Sequence, residues 1–232
     1  MPIDAKRSGL LVFDMLEHHR GAIAEAGAME PLRRLMQACR DAGVPVLYAR
    51  GDHRADGADL AQAPRDADKQ LRPLADPTGM TGTGGEDGPG RRLPHHASGT
   101  PGAAIIAELA PQPGDYDVPK HRWNAFHQTH LELSLRTRGI RTVMIVGGST
   151  HVGIASTVYA GRDLDFDMVV VRDCLTGLEA ERRYFVERIF PRMCRVRSSE
   201  ELIAALAGGG EAPASSGNAG DGERTPAVAA ER

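Results

Sequence analysis

Three places in the sequence put reactive groups where a folded chain can use them. Asp14 closes the apolar run LLVFDM, residues 10–15. A carboxyl at the end of such a run is costly to bury unless it is paired or used. It reads either as an acid or base tuned by its surroundings, or as a helix cap or half of a structural ion pair. Lys120 lies in PKHRWNAF, residues 119–126. It can pair with Asp14 or bind an anionic substrate, and a plain surface lysine is the competing reading. Trp123 and Phe126 can wall a substrate pocket or simply fill the core. The third place is the turn Gly147-Gly-Ser-Thr-His-Val-Gly153. Between a strand and a helix it aims backbone N–H groups at a helix N-terminus, a natural anion or oxyanion site. Ser149, Thr150, His151 and Val152 are therefore substrate-binding candidates. His151 reads as a pocket-lining residue before a catalytic base. The turn lacks the spacing of a Walker loop or a dinucleotide fingerprint. His53 stands among Asp52, Asp56 and Asp59 and joins the substrate-binding candidates. With His95-His96 far along the chain, no metal or other cofactor is expected.

The elements around these residues alternate between strand and helix. LLVFDM reads as a strand buried on both faces. Glu30 to Ala42 carries apolar residues at helical spacing, Leu32, Leu35, Met36 and Cys39, and Gly43 ends it. Pro45–Ala49 reads as a second strand. Asp52 to Thr100 is irregular, and so long a loop inside a compact domain is usually functional or disordered. Ala103–Leu109 reads as a short helix, and Asp117-Val-Pro119 as a third strand or loop edge. His130–Arg138 is helical and stops at Gly139. Thr142–Val146 is the central strand, Val152–Leu164 a helix, and Met168–Val171 the next strand. A helix over Leu178–Ile189 follows, then a short edge strand from Cys194 to Val196. Ser198 and Glu201 have the spacing of a capping box. Residues 208–232 have little to bury and read as a disordered tail, leaving one domain over residues 1–207. The alternation predicts a three-layer α/β/α fold with a mostly parallel, Rossmann-like sheet. Ligands of such folds sit outside the carboxyl ends of the strands. Asp14, the residues after Tyr48, Lys120 and residues 147–153 all fall there.

Composition narrows the function classes. The chain has 232 residues, 41% hydrophobic and 25% charged, with a formal net charge of -3. Without a basic excess, nucleic acid is not an expected partner. No apolar stretch approaches the roughly 20 residues a membrane span needs. The first residues do not read as a secretory signal. Three well-separated cysteines, Cys39, Cys174 and Cys194, argue against a disulfide framework or a zinc knuckle. A cytoplasmic protein with a small-molecule substrate is the expectation.

The three blocks LLVFDM, PKHRWNAF and VGGSTHVGIASTVYAGRDLDF, in this order and spacing, resemble the isochorismatase-like or cysteine hydrolases. The resemblance spans Gly9 to Leu206. It implies an Asp-Lys-Cys triad on a parallel-sheet fold, with Asp14 and Lys120 on the first two positions. It also implies a cis peptide at Gly148 and Ser149. The family cysteine would sit at Gly153, where this chain has no thiol. Most relatives are amidases that attack with that thiolate. The true isochorismatases also carry glycine there, in a context similar to Thr150-His-Val-Gly153. Their chemistry is protonation of a vinyl ether followed by addition of water. On that pattern Asp14 is the acid and Lys120 its partner. Two departures leave the substrate open. Isochorismatases have a tyrosine at Ser149. They also have a Gln-Pro motif where this chain carries residues 50–59, which resemble the loop of ureido and biuret-type amidases. Three readings follow: a cysteine-independent hydrolase of a small polar or carboxylated metabolite, an amide or ureide hydrolase with Asp-activated water, and a silent binding or scaffold protein. By resemblance the chain forms a dimer or tetramer, with Thr78–Gly90 capping a neighbour's site.

Overall fold

The computed structural model of the protein describes residues 3–60 and 96–208. Their strands are β1 (Ser8–Phe13), β2 (Val46–Gly51), β3 (Tyr116–Lys120), β4 (Thr142–Gly147), β5 (Asp167–Leu175) and β6 (Arg195–Arg197). They form one sheet in the order β3-β2-β1-β4-β5-β6, with every pairing parallel. The α-helices are α1 (Arg20–Glu25), α2 (Met29–Asp41), α3 (Leu131–Thr137), α4 (Ala155–Asp163), α5 (Glu179–Tyr184) and α6 (Ser199–Gly208).

Strand alternation divides the core into two layers. Leu10 and Val12 of β1 join Leu32, Leu35, Met36 and Cys39 of α2 and Leu202 of α6 on one face. Leu11 and Phe13 join Leu131 and Leu135 of α3 and Val158 of α4 on the other. All six residues of β1 are buried, because a parallel sheet is covered on both sides. Each fully buried Leu or Ile contributes about 1.5–3 kcal/mol. The helix read over Glu30–Ala42 is α2. It ends as glycine dictates: Gly43 adopts φ +72°, and the Val44 amide reaches back to the Cys39 carbonyl at 2.8 Å.

The chain first builds outward from β1 to β2 and β3, then returns to β4 on the other side of β1. The crevice at that reversal, outside the strand ends, is where such folds bind ligands. Asp14 leaves β1 there and Gly147 ends β4 there.

Several elements depart from the sequence reading. Ala103–Leu109 is not one helix but two 3-10 turns, Pro101–Ala103 and Ala107–Leu109. The residues between them pair with the chain after β1. The Glu17 amide donates to Ala104 at 2.9 Å and the Ile106 amide to Met15 at 3.0 Å. That pairing takes backbone groups a helix would need. The helix expected over Val152–Leu164 begins as a π-helical turn, Thr150–Ile154, and continues as α4. The one expected over Leu178–Ile189 is α5 followed by a second π turn. α6 runs through Gly208. The proposed tail beyond it and the proposed cap Thr78–Gly90 lie outside the described residues. Among the described residues, no helix is long and apolar enough to cross a membrane.

Candidate active site

Asp14 and Lys120 are 106 residues apart in sequence and meet across the end of β2. β3 is in register with β2 so that Lys120 stands opposite Gly51. Lys120 Nζ donates to Asp14 Oδ2 at 2.7 Å, and the Gly51 amide donates to Oδ1 at 2.7 Å. The side chains are only 6% and 11% exposed. Both carboxylate oxygens thus accept a hydrogen bond. Asp14 has φ +46°, a left-handed conformation that aspartate tolerates better than most residues. Its amide still donates to Ala49 at 2.9 Å. Lys120 Nζ also lies 4.3 Å from the centroid of the Phe13 ring, close enough for a cation–π attraction.

The Gly147–Gly153 turn is tied to its neighbours. Gly147 has φ +101°, and a Cβ there would collide with the Phe13 carbonyl. The Gly148 amide donates to that carbonyl at 3.1 Å. The Gly148–Ser149 peptide is cis. Thr150 is fully buried and binds the Thr176 carbonyl through its amide at 3.1 Å and its hydroxyl at 2.7 Å. The Val152 and Ile154 amides both reach the Ser149 carbonyl, at 3.3 and 3.2 Å. An anion at this turn therefore competes with internal bonds for the Val152 amide. Gly153 is buried, with its Cα facing the Phe13 ring.

These features can be set beside known proteins. The isochorismatase domain family matches residues 8–201. The uncharacterized isochorismatase family protein YecD of Escherichia coli O157:H7 is 32% identical over 214 residues, 89% of this chain and all of YecD. The chain belongs to the isochorismatase family. The cysteine hydrolase of Pseudomonas syringae pv. phaseolicola 1448A shares the fold of this family member, with a TM-score of 0.72 and 25% identity over 89% of this chain and 95% of that one. A shorter match, 44% over 70 residues, links it to the ureidoacrylate amidohydrolase RutB of Stutzerimonas stutzeri (strain A1501). It covers 30% of this chain and 28% of that enzyme. This isochorismatase-family protein is a hydrolase.

The remaining candidates divide. Phe126 stacks on Phe166 at 5.5 Å between ring centroids and packs, partly buried, against the core under α4. Trp123 is 56% exposed, and the nearby Ala125 amide donates to Thr157 Oγ1 at 3.0 Å. His151 Nδ1 lies 3.4 Å from Ser149 Oγ, and both side chains are half-buried. His53 is held at the site's rim: its amide donates to His96 at 2.9 Å, and its ring sits by Asp59, with Nδ1 3.4 Å from Oδ1. Burial pushes its imidazole pKa down, against the pull of Asp59.

The structure adds residues that sequence reasoning passed over or, for His96, set aside as distant. His96 is not remote: its ring lies against Gly51, and its Nε2 is 3.0 Å from His19 Nε2. His18 packs edge-on to both rings. The doubled histidines at 18–19 and 95–96 were the available signal. His121 brings a third ligand-type group to His53 and Asp59, with the three ligand atoms within 4.8 Å of one another. That set has the donor chemistry to take a divalent cation, although Asp59 already accepts the Arg54 amide at 3.1 Å. Cys39 and Cys174 are buried in the core. Burial pushes the thiols of Cys39 and Cys194 up to about 12 and that of Cys174 up as well.

Proposed function

We propose that this protein hydrolyses a small polar or carboxylated metabolite by direct addition of water, with no covalent intermediate. The observation that carries the reading is the buried Asp14–Lys120 pair beside a glycine, in a chain whose thiols are all held protonated by burial. Asp14 is the general acid/base and Lys120 its partner. The pair holds one transferable proton, resting on Lys120 Nζ in the ion-paired state. For a vinyl ether, that proton passes through Asp14 to the enol carbon. The resulting oxocarbenium ion is stabilised by the anionic carboxylate, water adds to it, and the proton released returns to the pair. The carbon–oxygen bond then breaks to give a carbonyl compound and an alcohol.

A second reading has a specific basis. Asp14 already accepts two hydrogen bonds, which suits a base that activates water. RutB, whose name records an amide-type substrate, matches part of the chain. Hydrolysis of an amide or ureide by Asp14-activated water is the reading these observations support.

A hydrolysis screen separates the two. It sets enol ethers beside ureides, biuret-like compounds and simple amides, with Asp14→Asn as the control. Turnover of an enol ether that falls by about 10²–10⁴-fold in the variant supports the acid mechanism. Turnover of a ureide with the same loss supports water activation. Turnover abolished by iodoacetamide, with protection by substrate, overturns both.

A further inference from the structure

We infer that Phe13 acts with Gly153 to fix the reaction class of this site, so that a nucleophile is excluded by two residues rather than by the missing thiol alone. The inference rests on the nucleophile-free reading above. The Phe13 ring is 1% exposed. A Cβ built on Gly153 would press on its Cε1 and lie 2.6 Å from its Cζ, well inside any tolerated carbon–carbon contact. No side chain fits at position 153 unless the ring moves. The ring has little freedom to retreat. Its backbone is pinned in the middle of the sheet, in register with Ala49 on one side and Gly147 on the other. Its carbonyl accepts the Gly148 amide. Its face lies under the Lys120 ammonium, and the rest of it belongs to the core beneath α3 and α4. The ring therefore stands between Lys120 and Gly153, in the space through which a nucleophile on the π-helical turn before α4 would reach the charge pair.

Exchanging phenylalanine for a β-branched aliphatic residue keeps the strand and opens that space. A thiol introduced at position 153 would then face the Lys120 ammonium, which favours thiolate. Such a thiolate displaces iodide from iodoacetamide, forming a carbon–sulfur bond and releasing iodide.

The test compares the parent protein with Gly153→Cys, Phe13→Val, and the two combined. It uses thermal unfolding and alkylation by iodoacetamide, with the modified residue located by peptide mass. Gly153→Cys alone is expected to lower Tm by about 5 °C through overpacking and to alkylate poorly. The combined variant is expected to recover most of that loss relative to Phe13→Val. Its introduced thiol should react at least about tenfold faster than in the single variant, with a midpoint below the ordinary 8.5. Equal stability and equal alkylation in the single and combined variants would overturn the inference. If Gly153→Cys does not fold, the combined variant folding is itself the expected rescue. Failure of both, with Gly153→Ala no better tolerated on Phe13→Val than on the parent, overturns it as well. None of these readouts uses turnover, so the inference and the proposed reaction fail separately.

Discussion

At the scale of single residues, the Asp14–Lys120 pair dominates. Two charges this deeply placed are favourable only while both are present, because desolvation of either one is uncompensated without the other. Lys120→Met is expected to lower the unfolding free energy by about 3–5 kcal/mol, measured by urea denaturation. Adding Asp14→Asn, which removes the charge and keeps a residue that tolerates the left-handed backbone, should restore most of the loss, which a double-mutant cycle reads directly. Strictly additive losses would mean that the two side chains do not depend on one another. Both residues were legible in the sequence because an acid ending an apolar strand and a lysine beside a proline are conspicuous. Phe13 was not, since a phenylalanine in an apolar run looks like core. Only the position of Gly153, brought back by β4 and its turn, shows what else the ring does.

At the scale of elements, legibility followed periodicity. β1, α2 and β4 carry patterns dictated by their own burial, and the sequence reading placed them within two residues. Ala103–Leu109 misled because its apolar content serves the chain after β1 rather than a helix face, and no local pattern reports a partner about 90 residues away. The capping box read at Ser198 is present. The Glu201 amide donates to Ser198 Oγ at 3.2 Å, and the Ser198 amide to Glu201 Oε2 at 2.6 Å. Ser198→Ala should cost about 1 kcal/mol of stability, with no change in turnover. A loss confined to activity would contradict that purely structural assignment. The histidine cluster escaped because His18 and His19, on a 3-10 turn after β1, and His96 lie far apart in the sequence, and only the folded chain brings them together.

At the scale of the whole molecule, the buried imidazoles link stability to pH. Burial holds His96 down to about 3, with Asp14 opposing the shift and His19, Lys120 and His18 reinforcing it. An unfolded chain protonates the same imidazole near 6.5. Between those values the unfolded state binds more protons, so stability rises with pH and is lost as pH falls below about 6.5. Urea unfolding from pH 7 to pH 5 should show this decline. His96→Asn should flatten it by at most about one proton's slope, about 1.4 kcal/mol per pH unit. An unchanged slope would remove His96 from the account. The sheet itself carries another consequence. Among the described residues its two outer strands are β3 and β6. β3 contains Pro119, which offers no N–H to a newcomer, and β6 is only three residues long. A long, regular edge would be a template on which other chains could add strand by strand. Here the proline that precedes Lys120 also interrupts that template, so the residue beside the charge pair helps keep crowded copies of the protein from growing into fibrils.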